Sequence, residues 1–327
     1  MKTMNTKPTL KLALCALALG GLVLTTQAQT PLYGWNMNGG SGTIITPSAA
    51  VGGGGGLTIA GTGAYGGPGS GVSGAAGDLA FANNNTTYGG TAANSGLAAS
   101  TVGDINIGVQ TAFTMTGWIK ADGGFNAING GGGANTTFQR LFMIGQGTPD
   151  TGSANSATLA LFNNSPSPSG QTNAIQLKLG NAAGYIGGAP FGTDGALTGN
   201  GSLNAFGSDW TFFAVSVDLT ASANNVNFYL GNASSLNAPI TATYTNSFGA
   251  AIGSIDFGTT GSALLLNRAN EARGFDGWGD DFAFYSGALA QSAVDGIRLQ
   301  GVPEPATVTM LGLGSLVGVI ALRRRRS

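Results

Sequence analysis

The sequence predicts an all-β protein, built as a sandwich of two antiparallel sheets. Residues 29–301 show no apolar period of 3.6 over a helical length, and short alternating apolar runs bounded by Gly, Asn, Asp and Ser recur instead. The clearest run, 210–219, places Phe213, Val215 and Val217 on one face. Many short strands separated by turn signals are typical of sandwiches and barrels.

The remaining runs predict the other elements and the core. Further strands are expected at 113–119, 140–144, 175–179, 226–230 and 280–285, with one short helix at 290–299. The predicted core residues are Phe113, Trp118, Phe213, Val215, Val217, Phe228, Phe282 and Phe284, and Trp35 and Trp210 also lie in strands. Residues 39–103 differ, because 20 of the 65 are glycine and Asp78 is the single charge. This segment predicts long glycine-rich loops with two or three weak strands.

Composition and charge exclude several classes of function. Only 8% of the 327 residues are charged, against about 25% in a typical soluble domain, yet 42% are apolar, which excludes a wholly disordered chain. The absence of histidine from the sequence excludes Ser-His-Asp hydrolysis, His-ligated zinc and His-ligated haem. Residues 29–301 carry six basic and thirteen acidic side chains, a net charge of −7, so we expect no nucleic-acid partner.

The first 28 residues have the pattern of a secretory signal peptide. Lys2, Lys7 and Lys11 precede a short apolar run, and small residues lead to a predicted cut after Ala28. The sole cysteine, Cys15, lies inside this segment. We therefore expect export through the secretion translocon and a mature chain that is held together by its core alone.

The last 26 residues, 302–327, have three parts in a fixed order. Pro303, Glu304 and Pro305 are followed by an apolar run at 306–322, and the chain then carries four arginines, Arg323, Arg324, Arg325 and Arg326. As a helix, the 17-residue run would measure roughly 26 Å, which is marginal for a hydrocarbon core of about 30 Å. The arginines favour the cytoplasmic side, so the body is expected to face outward.

This tail closely resembles the PEP-CTERM sorting signal of Gram-negative bacteria. The resemblance implies recognition by an exosortase, transient insertion in the inner membrane through 306–322, and processing near Pro303, Glu304 and Pro305. It also implies a final location at the cell surface or in the extracellular matrix, in bacteria that make exopolysaccharide. The alternative is an ordinary C-terminal membrane anchor.

The order of the strands in 29–301 resembles a LamG-like, concanavalin A-like jelly roll. The segments that carry the resemblance are 33–38 with Trp35, 113–120 with Trp118, 209–215 with Trp210, 225–232 with Tyr229, and the closing 277–285. The resemblance implies a jelly-roll sandwich of two antiparallel sheets, with residues 39–103 as a glycine-rich insertion. It also implies loop-borne binding, with calcium sites at the rim in some members.

Carboxylates concentrate in one place, at Glu271, Asp276, Asp280 and Asp281. Two or three of them with loop carbonyls would suit Ca²⁺, which takes six to eight oxygen ligands. The alternative is that they cap turns and stay hydrated. Hydrolysis of a glycoside needs two suitably spaced carboxyl groups, and no strand carries the acidic pattern expected for it, so we expect no enzyme activity.

Aromatic residues offer the other candidate binding site. Trp278 and Tyr185 are flanked by glycines and would stack on sugar rings if they lie in exposed loops, although core or rim packing is the alternative for Trp278. The sequence thus predicts a non-catalytic exported surface or matrix protein that binds glycan or exopolysaccharide. A structural or adhesive protein without a specific ligand is the alternative, and a glycoside hydrolase is the least favoured.

Overall fold

The structure is a computed structural model. It describes residues 29–38, 43–60, 63–67, 69–83, 96–99, 104–121, 138–146, 155–162, 174–181, 184–185, 209–223, 225–233, 242–246, 251–266, 275 and 277–301. The predicted signal peptide, the C-terminal segment 302–327, Glu271 and Asp276 lie outside these ranges.

Nineteen strands and one helix make up the described part of the chain. The strands are β1 (Tyr33–Trp35), β2 (Ile44–Ile45), β3 (Ala49–Ala50), β4 (Leu57–Ala60), β5 (Ala64–Tyr65), β6 (Phe81–Asn83), β7 (Gly96–Ala99), β8 (Val109–Gln110), β9 (Ala112–Ala121), β10 (Phe138–Gln146), β11 (Ser156–Phe162), β12 (Ala174–Asn181), β13 (Gly184–Tyr185), β14 (Thr211–Asp218), β15 (Val226–Asn232), β16 (Ala242–Asn246), β17 (Ile255–Asp256), β18 (Gly261–Leu265) and β19 (Gly277–Ser286). The helix α1 (Gln291–Gln300) follows the last strand.

The strands form two large antiparallel sheets. The nine-stranded sheet has the order β16-β15-β14-β9-β19-β1-β3, with β6 beside β19 and β5 beside β6. The eight-stranded sheet has the order β13-β12-β11-β10-β18-β7-β4-β2, and β17 pairs with β8 separately. The predicted all-β jelly-roll sandwich of two antiparallel sheets is confirmed, as are the strands predicted at 113–119, 140–144, 175–179, 226–230 and 280–285.

A continuous apolar core lies between the two sheets. Trp35 of the nine-stranded sheet meets Phe142 of the eight-stranded sheet edge-on, with ring centroids 6.0 Å apart, and Phe142 meets Phe282 at 5.8 Å. Gly117 makes room for this core, because a methyl group there would lie 2.8 Å from both Phe213 and Phe282. The predicted core residues that lie in this cluster are Phe113, Phe213, Val215, Val217, Phe228, Phe282 and Phe284.

Trp118 is also buried, but on the opposite face of the sheet. It is 1% exposed and belongs to a second apolar cluster outside the sandwich. Side chains alternate along a strand, so Phe113 and Trp118, five residues apart on β9, must point to opposite faces. The predicted burial of Trp118 is confirmed, and the structure adds that it lies in a different apolar cluster from Phe113.

The glycine-rich segment 39–103 contributes more strands than expected. Six short strands, β2 to β7, lie within it, and they join both large sheets. Four of them are only two or three residues long. Runs this short carry no measurable alternation, which is why the sequence pattern underestimates them.

Candidate functional site

The outer face of the nine-stranded sheet carries a second apolar cluster. Val294 of α1 is fully buried there, and Leu289 is 8% exposed. The cluster consists of Val72, Ala80, Trp118, Trp210, Phe212, Ala214, Tyr229, Ala283, Tyr285, Leu289 and Val294. Two segments thus cover this face. One is α1 with Leu289 just before it, and the other is the glycine-rich loop around Val72.

Polar side chains of the sheet fix the start of α1. The Thr114 hydroxyl donates to the carbonyl of Gly287 at 2.9 Å and accepts from the N–H of Leu289 at 3.0 Å. The Ser216 hydroxyl donates to the Leu289 carbonyl at 3.0 Å. Both side chains are buried, so these bonds satisfy groups that would otherwise be costly to desolvate.

The end of α1 is held by a buried arginine. Arg298 is 1% exposed, and its Nε and Nη2 donate to Asp295 Oδ1 at 3.0 and 2.8 Å. Its Nη1 donates to the Asn232 carbonyl at 3.3 Å, which ties the helix to β15. The helix therefore ends at a defined position against the sheet.

A bulge in β19 lies beneath the end of this helix. Asp280 pairs with Trp118 and Ala283 pairs with Thr116, so β19 has one residue more than β9 in this interval. Asp281, inside the bulge, has a φ of 47°, in the left-handed region that Asp and Asn tolerate better than most residues. The two neighbouring aspartates of the bulge differ in exposure. Asp280 is fully buried, whereas Asp281 is half-buried.

Asp280 fastens the glycine-rich loop to the sheet. Its Oδ2 accepts from the Val72 N–H at 3.1 Å, and its Oδ1 accepts from the Asp281 N–H at 2.8 Å. Burial, with the charges of Asp281 and Asp78, raises the pKa of Asp280 above its usual value of 3.8. Burial and the charge of Asp78 likewise raise the pKa of Asp281.

Asp78 therefore joins Asp280 and Asp281 in an acidic group that the sequence analysis missed. Its Oδ2 accepts from the Ser73 N–H at 2.7 Å. About 200 residues separate Asp78 from the other two, so no local pattern links them. The one available signal was that Asp78 is the single charge in 65 residues.

A cleft of about 220 Å³ opens beside this bulge on the outer face. We call it the outer cleft; it lies between the end of α1, strand β1 and β19. Its aromatic lining consists of Trp118, Phe212 and Tyr285. Trp35 and Phe282 are also among its lining residues, but their side chains pack in the core between the two sheets. Its polar lining consists of Gln29, Asn36, Ser48, Asp281 and Gln300, and among the described lining residues none is basic.

Donor and acceptor groups meet at one end of the outer cleft, beside Gly301. A methyl group on Gly301 would lie 2.8 Å from Trp118 Nε1 and 2.9 Å from Asp281 Oδ2. The Trp118 ring packs against Phe212 with centroids 5.2 Å apart. Burial raises the pKa of Tyr285 to about 12, so its hydroxyl keeps its proton at neutral pH. An indole donor and a carboxylate acceptor thus line one small space beside buried aromatic side chains.

The structure places Tyr185 on a different sheet from Trp278, Asp280 and Asp281, which all lie on β19. Trp278 is half-buried, and a methyl on Gly66 would lie 2.5 Å from its ring, so the glycine-rich loop covers the indole. Tyr185 lies in β13 of the other sheet, and its side chain is outside the described part. Asp280 is a buried strand residue, so its interpretation as a hydrated turn residue was wrong.

The predicted calcium site stays a prediction. Within the described ranges, no group of three or more His, Cys, Asp or Glu side chains is arranged to hold a metal ion. Glu271 and Asp276, two of the four carboxylates on which the prediction rested, lie outside those ranges. The third, Asp280, already accepts hydrogen bonds on both oxygens.

The tail matches a known family model. Residues 301–326 match the PEP-CTERM protein-sorting motif, which confirms the sorting signal predicted from Pro303, Glu304, Pro305 and the terminal arginines. The chain is therefore an exported protein that is anchored transiently in the membrane before exosortase processing. In the described part of the chain, no helix is long and apolar enough to cross a membrane, and the run 306–322 lies outside that part.

The body is similar in fold to binding domains of other proteins. The botulinum neurotoxin serotype G binding domain has a TM-score of 0.50 and 12% identity, with 83% of this chain and 51% of that chain covered. Domain 4 of AbnA, an extracellular arabinanase of Geobacillus stearothermophilus solved with arabinotriose, has a TM-score of 0.46 and 17% identity, with 83% and 99% covered. No curated protein matches the chain. The chain spans about half the length of the neurotoxin binding domain, and at this identity the similarity establishes the β-sandwich fold alone.

Proposed function

We propose that this is a non-catalytic exported surface or matrix protein that binds a neutral glycan in the outer cleft. The observation that carries the proposal is the convergence of Asp281, the Trp118 indole and the aromatic lining on one small cleft. Carboxylates accept hydrogen bonds from sugar hydroxyls, and an indole N–H donates a hydrogen bond to them.

The charge of the body supports a neutral rather than an anionic glycan. Residues 29–301 carry a net charge of −7, and Asp281 faces the cleft without a basic residue among the described lining residues. An anionic sugar would meet both a repulsive long-range field and a carboxylate at the site. A neutral polysaccharide of the extracellular matrix avoids both.

The carboxylates of the cleft support binding rather than hydrolysis. Asp281 is the one carboxylate among the described residues that line the cleft, while Asp280 and Asp78 do not line it. Glycoside hydrolysis in its usual form uses two carboxyl groups on opposite sides of the bond that breaks. A single carboxylate suits recognition.

A glycan array probed with the released form of the protein tests the proposal. With the array run at about pH 8, above the pKa of about 7 to which burial raises the Asp281 carboxyl group, we expect neutral glycans to bind and anionic ones to fail. Asp281→Asn should weaken binding about tenfold or more, since hydrogen bonds to charged groups contribute roughly 1.5–3 kcal/mol. Asn keeps the shape and tolerates the positive φ of this position. Asp256→Asn is the matched control, because Asp256 is exposed and lies in β17, outside the cleft.

A second pair of variants tests the location by filling space. Gly301→Ala would place a methyl group between Trp118 and Asp281, whereas Gly77→Ala points into open space. We expect Gly301→Ala to weaken glycan binding and Gly77→Ala to leave it unchanged. If both variants bind glycan equally well, the binding site does not lie at Gly301. If the parent protein binds no glycan on the array, the structural or adhesive alternative is favoured. Running the array in millimolar calcium and again in EDTA tests the calcium proposal at the same time.

A further inference from the structure

The glycine-rich loop around Val72 is the tip of a hairpin that folds back over the outer face of the nine-stranded sheet. Strands β5 and β6 form the hairpin, and β6 pairs with β19. The Gly66 N–H donates to the Ala80 carbonyl at 2.8 Å and closes its base. The described residues of the loop are 67 and 69–79. The base is thus fixed by strand pairing, whereas the loop depends on contacts of its own.

The glycine-rich loop shields Trp278. A methyl group on Gly66 would lie 2.5 Å from the Trp278 ring and 2.5 Å from the Ser70 side chain, so Ser70 lies beside the indole. Val72, two residues further on, is buried in the second apolar cluster, against which Trp278 also packs. Detachment of the loop from the sheet would therefore uncover the indole.

Two consecutive N–H groups of the loop meet two different carboxyl groups. The Val72 N–H donates to Asp280 Oδ2 on β19 at 3.1 Å, and the Ser73 N–H donates to Asp78 Oδ2, in the loop itself, at 2.7 Å. Consecutive backbone nitrogens lie within about 4 Å of each other, so these two oxygens are at most about 10 Å apart. The contact that fastens the loop thus also brings the Asp78 carboxyl group to those of the sheet.

The nearest charged groups around Asp280 are acidic. They are Asp281, beside it on β19, and Asp78 of the loop. The other charged or titratable residues on the elements packed here are Tyr285 on β19, Lys120 on β9, and Asp295 and Arg298, which pair with each other on α1. Lys120 pairs with Trp278 across the strands, whereas Asp280 pairs with Trp118. Strand β6 carries no titratable side chain.

This environment favours the protonated form of Asp280 while the loop is closed. Burial, with the charges of Asp281 and Asp78, raises the pKa of Asp280 above its usual value of 3.8. A carboxyl group that is exposed by opening returns toward that usual value and releases its proton. The closed loop is therefore most stable in acid, and closure weakens as the pH rises above about 4.

We infer that the glycine-rich loop is a pH-sensitive lid over Trp278, closed in acid and loosened at higher pH by repulsion between Asp78 on the loop and the two aspartates of β19. Opening requires no change in the sandwich, because the hairpin base stays paired with β19. Gly69, Gly71, Gly74 and Gly77 lie in the loop, and glycine gains more backbone freedom on release than any other residue. The lid does not depend on the ligand of the outer cleft.

Amide hydrogen exchange of the full-length chain in detergent micelles measures this opening, with mass spectrometry resolving single residues. The reporters are the Val72 and Ser73 N–H groups, and the reference is Val215, in a strand paired on both sides. Each rate is divided by the intrinsic rate at the same pH to give a protection factor. Loss of one proton changes an opening constant by up to about tenfold per pH unit.

We expect protection at Val72 and Ser73 to fall about tenfold or more between about pH 5 and about pH 9, and to stay below that of Val215 at both. A smaller fall would overturn the proposal. Protection factors equal to that of Val215 at each pH would overturn it too, because the loop would then open only when the whole protein unfolds.

A charge-removing variant tests the cause of the opening. Asp78→Asn removes the charge of the loop and keeps an oxygen for the Ser73 N–H, so the fall in protection should shrink about threefold or more. Gly77→Ala is the matched control, because its methyl group points into open space and every charge is kept, so it should show the fall of the parent. If Asp78→Asn does not fold, Asp281→Asn removes the other neighbouring charge in its place. A fall as large as that of the parent in the folded variant would overturn the proposal, since repulsion would not be the cause.

Discussion

At the scale of single residues, the buried carboxyl groups of Asp280 and Asp281 make stability depend on pH. The pKa values of Asp280 and Asp281 are raised from the usual 3.8, by burial first and then by neighbouring charge. The folded state therefore binds more protons than the unfolded state above about pH 4, and the free energy of unfolding must fall as these protons are lost.

We expect the melting temperature of the released protein to fall as the pH rises from about 4 through neutrality. The slope can approach about 1.4 kcal/mol per pH unit for each proton that only the folded state retains. Asp281→Asn, which mimics the neutral carboxyl group, should flatten the profile. Thermal melts followed by circular dichroism measure this, and a parent profile that rises over the same interval would contradict the assignment.

These aspartates also show which parts of the candidate site can be predicted from the sequence. Asp280 and Asp281 were singled out because they adjoin in sequence, and the structure places them beside a cleft. Asp78 and Gln300 were not singled out, because they meet this site only through the fold. Trp118 was correctly expected to be buried. Its neighbour Phe212 is set by the pairing of β14 with β9, and its neighbour Gly301 by the packing of α1. Local spacing predicts which residues carry chemistry, whereas contacts between distant segments decide which of them meet.

At the scale of elements, the helix α1 forms one wall of the outer cleft through packing rather than through its own propensity. No side chain caps its first turn, where Ala290 is the N-cap, and its first turn carries no acidic residue. Its position instead rests on the buried Val294, on Arg298, and on the hydrogen bonds that Thr114 and Ser216 make just before it.

Val294→Ala should therefore destabilise the protein by about 2 kcal/mol, because a buried methyl pair is lost and a cavity is left. It should also weaken glycan binding, since α1 carries Ile297 and Gln300 of the cleft lining. Ser292→Ala, at an exposed position of the same helix, is the control and should change stability by less than about 0.5 kcal/mol. Denaturant unfolding of the two variants measures the difference, and equal stabilities would show that α1 does not depend on this contact.

Elements differ in how well the sequence predicted them. The long strands β9, β14 and β19 were predicted closely, because eight to ten residues carry a full alternation of apolar and polar side chains. The short strands between β2 and β7 were underestimated, because pairs such as Ala49–Ala50 have no pattern of their own. Their pairing comes from neighbouring strands, which supply the backbone partners.

At the scale of the whole molecule, the chain is a β-sandwich with a sorting tail attached directly to its cleft. The motif match predicts that the mature protein found outside the cell lacks Arg323, Arg324, Arg325 and Arg326. Replacing Pro303, Glu304 and Pro305 with alanines should keep the protein in the inner membrane. Mass spectrometry of the extracellular form decides this, and an intact arginine terminus would refute processing linked to sorting.

The central claim is that the outer cleft binds a neutral glycan, and the tryptophan indole signals test it most directly. The chain has four tryptophans, each of which gives a separate indole N–H signal in a ¹⁵N-correlated NMR spectrum. Trp118 lines the cleft, whereas the Trp35 indole donates to the Gly55 carbonyl at 2.7 Å inside the sandwich. When a neutral glycan that binds on the array is titrated into the released protein, we expect the Trp118 signal to shift and the Trp35 signal to stay in place. A shift of the Trp278 signal with Trp118 unmoved would place the glycan at the glycine-rich loop and contradict the account.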